Sequence, residues 1–385
     1  MPLDTHAPAS SGGGGLISSL RLQSFRAYDE AELAFDPEFN RIIGQNGVGK
    51  TSLLEALAHL AWGGSPWSER SADVINTGSS FAIIAGKGES RRQDVSIKLK
   101  RGGRKEVILC EKPIPRMSEL LGIFPMTAVG PQEIDLVKGS PSVRRRQLDS
   151  ALCQISHEYT QALTKYRKLV AERNAALKGV RSGKMAGGHI LIQTMDESIA
   201  PEAAIIMEAR ARHVEIISRL AGEIYSEIMG GEDSQISIEY RPTVNLENLS
   251  VEGISSEFLE KLSARRKRDL DTGETAIGPH RDDLLFLKDG EELSRFGSWG
   301  QARAGSLAAI LAASDVIHTS SSEPVTLLLD DCFAELDPEN TERFIATSAR
   351  FGQVIIASPR EIAPPADKNG ALFTFEDVGK LRKDN

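Results

Sequence analysis

The sequence predicts an α/β fold in which both ends of the chain build one head and a mainly helical segment is inserted between them. Three observations predict it. An apolar strand-like run, Phe39 to Ile43, leads through a glycine-rich loop into an amphipathic helical pattern from Ser52 to Leu60. A second apolar run, Val325 to Leu329, ends in Asp330-Asp331. Between the two, from about 143 to 229, apolar residues recur at three- and four-residue spacing, as on a buried helix face.

The loop is Gly44-Gln45-Asn46-Gly47-Val48-Gly49-Lys50-Thr51, a complete G-x-x-x-x-G-K-[ST] pattern in a strand–loop–helix setting. Its glycines let successive backbone N–H groups turn inward around a phosphate chain, and the helix N-terminus behind them adds partial positive charge. Lys50 is placed to neutralise the β- and γ-phosphates of ATP, and Thr51 to hold Mg²⁺. Ser52, in the first helical turn, completes this set of nucleotide contacts. A plain glycine turn would explain the glycines but not Lys50-Thr51 behind them.

The second run supplies the carboxylate such a loop needs. Val325 to Leu329 has the unbroken apolar character of a strand buried on both faces. At its end Asp330 fits the role of supporting Mg²⁺, and Asp331 that of polarising an attacking water. About 30 residues earlier, Gly297-Ser298-Trp299-Gly300-Gln301 opens another helical pattern. This Ser-x-Gly-Gln sequence resembles the signature of ABC-type ATPases, in which the serine and the helix amides bind the γ-phosphate held by a second subunit. Ser298 also suits a simple helix N-cap. Glu335-Leu336-Asp337 occupies the place of the D-loop, making Asp337 a contact candidate with Ser298, Gly300 and Gln301. Gln353 to Ser358 reads as the next buried strand, with Ser358 where such heads carry a switch histidine.

Longer segments resemble the RecF family of bacterial recombination ATPases. They are Leu22 to Arg26 followed by Ala27, where asparagine is usual; Asp135 to Pro141 with Arg144-Arg145-Arg146 and Leu148-Asp149; Tyr166-Arg167-Lys168 with Arg173 to Lys178; and Gly278-Pro279-His280-Arg281-Asp282-Asp283-Leu284. The resemblance runs over roughly residues 20 to 360. It implies an ABC-type P-loop ATPase head with ATP and Mg²⁺ as cofactors and weak, DNA-stimulated hydrolysis. It further implies an ATP-dependent homodimer, binding to duplex and gapped DNA, and loading of RecA with RecR and RecO in the cytoplasm. Trp299 departs from the usual signature; His280 and Arg281 mark the family, and a turn that fastens the insertion to the head accounts for them at least as well as a direct role does. An ABC-head subunit of a nuclease or phage-defence system is the alternative reading. A transporter ATPase would carry glutamate at position 331.

With 385 residues the chain has room for two domains with substantial cores. No run approaches the ~20 apolar residues that span a bilayer, so no membrane partner is expected. The expected division is a disordered extension over 1–15, a first head segment over 16–142, a helical insertion over 143–274 and a second head segment over 275–385. Within the insertion Ile199, Ala203, Ile206, Ile217, Leu220, Ile224 and Ile228 form the periodic face, and Gln235 to Tyr240 alternates like a strand. No sustained heptad seam is present, which excludes a long coiled-coil arm. Cys110, Cys153 and Cys332 are scattered, as reduced thiols are.

The net charge is −8, from 46 basic and 54 acidic residues, so the chain is not a wholesale nucleic-acid coat. Three basic clusters stand out. Arg91, Arg92, Lys98, Lys100, Arg101, Arg104 and Lys105 surround a predicted hairpin turn at Gly102-Gly103 and are the best candidates for DNA phosphate contacts. Arg144-Arg145-Arg146 and Arg265-Arg266-Lys267-Arg268, taken singly, read as solvated surface.

Overall fold

The computed structural model describes residues 15–65, 73–89, 93–130, 136–185, 188–231, 235–333 and 336–384. The N-terminal stretch expected to be disordered lies, but for Gly15, outside the described residues. The chain divides into two compact units: Met1–Asp135 with Ala221–Gln235 and Ser298–Asn385, and Leu136–Leu220 with Ile236–Gly297.

The first unit begins with β1 (Ile17–Phe25), β2 (Tyr28–Ala34), β3 (Phe39–Ile43), α1 (Lys50–Trp62), β4 (Phe81–Gly88), β5 (Asp94–Lys100), β6 (Glu106–Leu109), β7 (Lys112–Pro113) and β8 (Met126–Val129). The second unit holds α2 (Pro141–Ile155), α3 (His157–Arg181), most of α4 (Gly188–Met229), β9 (Ile236–Arg241), α5 (Val251–Thr272), β10 (Asp283–Lys288), β11 (Glu291–Glu292) and the short α6 (Leu293–Phe296). The first unit then resumes with α7 (Trp299–Ser321), β12 (Val325–Asp330), α8 (Pro338–Ser348), β13 (Gly352–Ser358), β14 (Gly370–Asp377) and β15 (Lys380–Asp384).

Two sheets build the head. One is antiparallel, in the order β2-β1-β4-β5-β6-β7. The other, β15-β14-β3-β13-β12-β8, is parallel except for the β14–β15 hairpin. Strand β3, made early, pairs with β13 on one side (Ile42↔Ala357) and with β14 on the other (Ile42↔Phe373). The two ends of the chain therefore share one sheet. β12 is buried at all six positions, which is why its sequence shows no alternation. β1 and β5 do alternate: Leu20, Leu22, Val95, Ile97 and Leu99 turn into the core.

Helix α1 packs against strands of both sheets, β4 and β5 on one and β12 and β13 on the other. It is not the amphipathic helix the sequence pattern suggests. Every residue from Leu53 to Ala61 is buried, including Glu55 and His59, because a helix between two sheets has no solvent face. Glu55 is neutralised in place by Arg26, whose Nε and Nη2 donate to its carboxylate at 2.8 and 3.0 Å.

The second unit joins helices to the small antiparallel sheet β11-β10-β9. The expected boundary at 275 differs from this division: β10 hydrogen-bonds along β9, so residues to Gly297 group with the insertion. Pairing between strands that end at Arg241 and start at Asp283 leaves no local signal. α4 is 42 residues long and carries Pro201 inside it.

Charged side chains hold this unit together. Arg173, fully buried, donates to Asp196 (2.6 Å), Asp269 (2.8 Å) and the Thr275 hydroxyl (2.9 Å). Arg210, also buried, donates to Asp149 (2.6 Å), to the Tyr159 hydroxyl (3.0 Å) and to the Pro279 carbonyl (2.6 Å). Two of the basic clusters expected on the surface take part. Arg144 is buried on Asp283 and on the carbonyls of Leu136 and Gly139, Arg145 donates to the Asp282 carbonyl, and Arg266 donates to Asp196. Each arginine faces a carboxylate or a loop carbonyl inside the unit, and that pairing draws it inward.

Candidate nucleotide-binding site

The site lies where β3 runs into α1 beside the ends of β12 and β13. Gly47 (φ 86°) and Gly49 (φ 117°) take left-handed backbone that side chains resist, and this lets the loop curl over the start of α1. The Gly44 N–H donates to the Ser358 carbonyl at 3.3 Å, so the end of β13 steers the chain into the loop. The Lys50 ammonium is folded back on the loop, donating to the carbonyls of Gly44 (2.7 Å) and Gln45 (2.9 Å). Burial depresses its pKa, and the nearby Asp330 and Asp331 oppose that shift.

The Thr51 hydroxyl donates to Asp330 Oδ2 at 2.7 Å, joining residues 279 positions apart. Asp330 is buried at the last position of β12; burial raises its pKa, while the Thr51 hydrogen bond and Lys50 favour the carboxylate. A hydroxyl and a carboxylate side by side at the foot of a phosphate loop form a hard oxygen donor set of the kind Mg²⁺ takes. Asp331 leaves the strand in left-handed backbone (φ 46°), an unusual conformation for a non-glycine residue, with its N–H on the Ala357 carbonyl and its side chain exposed. Neighbouring carboxylates are thus aimed apart, one into the core and one toward solvent.

The structure brings Gly44 to Ser52, Asp330 and Asp331 together in one place. The signature residues are arranged differently. Ser298 is the N-cap of α7, with a reciprocal capping box: its hydroxyl accepts from the Gln301 N–H (3.2 Å) and Gln301 Oε1 accepts from the Ser298 N–H (3.0 Å). Ser298 and Trp299 are exposed, and Gly300 and Gln301 are half-buried. Asp337 caps α8, its carboxylate accepting from the Asn340 N–H (2.8 Å) and side-chain amide (2.7 Å). Among the described residues no hydrogen bond links Ser298, Gly300, Gln301 or Asp337 to the loop. Glu335 lies outside the described residues.

The basic hairpin forms with its turn at Gly102, but most of its cations are engaged locally. Arg101 donates to the carbonyls of Ser79 (2.9 Å), Ile75 (3.0 Å) and Asn76 (3.2 Å). Lys105 donates to the Gly63 carbonyl at the end of α1, and burial depresses its pKa. Lys100 pairs with Glu106, and Lys98 lies over the Phe81 ring at 4.9 Å. Arg104 is exposed, while Arg91 and Arg92 lie outside the described residues. Arg101 and Lys105 therefore brace the head's own backbone.

His280 has a structural place within the second unit. Its Nε2 faces the Thr275 carbonyl at 2.9 Å and so carries the proton; Nδ1 accepts from the Tyr166 hydroxyl at 2.6 Å. Burial holds its pKa down at about 4, consistent with this neutral tautomer. Arg281 pairs with Glu274 on the surface.

Two residues escaped the sequence reading. The Tyr28 hydroxyl donates to the Gly49 carbonyl (2.9 Å), and the Gly379 N–H donates to the Val48 carbonyl (3.0 Å). Tyr28 follows the Phe25-Arg26-Ala27 segment closely enough to have drawn notice. Gly379 carries no signal beyond a glycine between two strands.

Residues 16–366 match the family model described as the RecF/RecN/SMC N terminal domain. The chain is 31% identical over 335 residues to the DNA replication and repair protein RecF of Oceanobacillus iheyensis, covering 86% of this chain and 90% of that protein. It is 32% identical over 335 residues to the RecF of Bacillus cereus, covering 86% and 88%. Among solved structures, the recombination mediator protein RecF with ATPrS in the RecFOR pathway aligns with a TM-score of 0.86 at 25% identity, over 96% of this chain and 98% of that one. The Smc head bound to the C-winged helix domain of ScpA shares the fold, with a TM-score of 0.56 at 18% identity over 96% of each chain.

Proposed function

The chain belongs to the family of RecF, RecN and SMC proteins, and from that premise we propose that it is an ATP-dependent recombination mediator of DNA repair and replication. The observation that carries this reading is the Thr51–Asp330 hydrogen bond. It places the last residue of the phosphate loop on the carboxylate of a distant strand, as ATP binding and hydrolysis require. Lys50 and the loop amides would hold the phosphates, and Thr51 and Asp330 would hold Mg²⁺, which supplies charge neutralisation at the β- and γ-phosphates. Asp331, turned toward solvent beside that pair, is the candidate for orienting water.

Ser298 and Trp299 stand exposed at a helix N-terminus, whose partial positive charge favours an anion. This supports a composite site in which a second copy presents its signature to the loop, so that ATP joins two subunits in a symmetric dimer. In this reading Asp337 reaches the partner subunit through the start of α8 and not through its own carboxylate, which is engaged in capping. Duplex and gapped DNA are the proposed substrates, RecR with RecO the proposed partners, and RecA the recombinase loaded, in the cytoplasm. Among the described residues no helix is long and apolar enough to cross a membrane. Of the hairpin cations, Arg104 is the exposed candidate for a phosphate contact.

The test is solution mass with and without ATP and Mg²⁺, for the wild type, Lys50→Met and Ser298→Arg, followed by turnover with duplex DNA. Dimers that need ATP and vanish in both variants are expected. A monomer under every condition would remove the composite site from this reading.

A further inference from the structure

We propose that Gly379 and Tyr28 are positioning residues of the nucleotide site: the turns that carry them grip the outer side of the phosphate loop and aim its backbone donors. The inference deepens the nucleotide-binding reading above and rests on it. The Gly379 N–H holds the Val48 carbonyl at 3.0 Å and the Tyr28 hydroxyl holds the Gly49 carbonyl at 2.9 Å. A trans peptide carries its C=O and its N–H on opposite sides of one plane. Fixing the Val48 carbonyl therefore turns the Gly49 N–H the other way, and fixing the Gly49 carbonyl does the same for the Lys50 N–H. Consecutive amides presented together make the concave anion site that a phosphate chain occupies. The two outer contacts, with the Leu53 N–H that shares the Gly49 carbonyl at 3.2 Å, set the direction of two adjacent donors before any ligand arrives, which lowers the ordering cost of binding.

Sterics leave little freedom at either contact. Gly379 has φ 72°, and a Cβ there would stand 2.4 Å from the Ala27 carbonyl oxygen, so a side chain is excluded both by conformation and by space. That same oxygen belongs to the β1–β2 turn that also presents Tyr28, so the two turns meet beside the loop. A Cβ on Gly49 would lie 3.1 Å from the Tyr28 hydroxyl. The hairpin β14–β15 also reaches the start of the loop. β14 pairs with β3 up to Thr374↔Ile43, and a Cβ on Gly44 would lie 3.1 Å from the Phe375 ring. One hairpin therefore borders the loop at Gly44 and again at Val48. Tyr28 is fully buried, so water does not replace its hydroxyl when it is removed.

The experiment uses the full chain. Tyr28→Phe deletes only the hydroxyl, and Gly379→Ala forces the turn off Val48. Gly102→Ala is the control: Gly102 has a similar φ of 69° with nothing near its missing Cβ, in a turn that does not touch the loop. Tyr28→Phe and Gly379→Ala should each weaken ATP binding about fivefold, the effect of one hydrogen bond. The KM for ATP should rise with kcat within about twofold, because the lost alignment acts on bound nucleotide in ground and transition states alike. Gly102→Ala should leave both unchanged. Wild-type affinity in Tyr28→Phe would overturn the proposal, as would a KM shift in Gly102→Ala equal to that of Gly379→Ala. If Gly379→Ala does not fold, hydrogen exchange on the wild type decides: the Gly379 amide should exchange more slowly with ATP, and an unchanged rate overturns the proposal. Failure of the wild type itself to bind ATP, with Lys50→Met no different from it, would instead strike the nucleotide reading.

Discussion

The phosphate site and the helical insertion treat their charged residues in opposite ways. At the site Lys50 rests on loop carbonyls and, among the described residues, meets no carboxylate hydrogen bond, while Asp330 has the Thr51 hydroxyl and no arginine. In the insertion, Arg173 is paired with Asp196 and Asp269, and Arg210 with Asp149, in the interior. Charges of the first kind keep binding capacity for a ligand. Those of the second kind are used up in holding helices together. Sequence conspicuousness does not separate the two, since the arginine triplet and the Gly-Pro-His-Arg segment are as recognisable as the phosphate loop. Burial and pairing do.

The contrast can be broken hardest at Arg173. Replacing it with alanine leaves Asp196 and Asp269 buried with much of their compensation gone, at an expected cost of about 3–5 kcal/mol. Lys98→Ala, on the open face of the antiparallel sheet, should stay within about 0.5 kcal/mol. Urea unfolding of both variants measures the difference, and equal losses would mean the buried network is not what secures the insertion.

Histidines sharpen the comparison next. Burial holds His59 in the head and His213 and His280 in the insertion at a pKa of about 4, below the ordinary value near 6.5. A depressed histidine binds its proton more readily when unfolded. Its contribution is therefore intact above pH 6.5 and is lost as pH falls toward 4, by up to about 3 kcal/mol per residue. Urea midpoints should fall between pH 7 and pH 5. The regions should then part company on substitution. Neither ring nitrogen of His59 has a protein hydrogen-bond partner among the described residues, so His59→Leu should flatten part of the slope at little cost at pH 7. His280→Leu strands the Tyr166 hydroxyl and the Thr275 carbonyl and should destabilise at every pH. The same behaviour from both variants would erase the distinction.

The smallest expected effect concerns Asp337. As a helix cap, its replacement by alanine should cost about 1 kcal/mol of stability. Nucleotide affinity of the isolated subunit should not move; a change there would place the carboxylate at the site and not at the start of α8.

Much of the head was legible because its signals are local. Glycines at fixed offsets, an apolar run ending in two aspartates and a Ser-x-Gly-Gln helix start each lie within ten residues. The helical character of α2 to α4 followed from periodicity. What escaped was set by contacts between distant segments. The all-round burial of α1 depends on two sheets made elsewhere in the chain. Arg144 and Arg266 turn inward because Asp283 and Asp196 stand there, and those carboxylates are 139 and 70 positions away. Gly379 meets Val48 only because β14 has returned to the edge of β3.

That return has a consequence in time. β3 is hydrogen-bonded on both sides by strands made more than 300 residues later, β13 and β14. A ribosome adding about 5–20 residues per second would expose the phosphate-loop segment for roughly 15–60 seconds before its sheet neighbours exist. During that interval Phe39 to Ile43 is an unpaired strand with Phe39, Ile42 and Ile43 uncovered, open to wrong partners. The insertion, whose helices are complete in the meantime, has the opportunity to fold first. A nascent chain released before residue 352 would then carry a folded insertion and no nucleotide site.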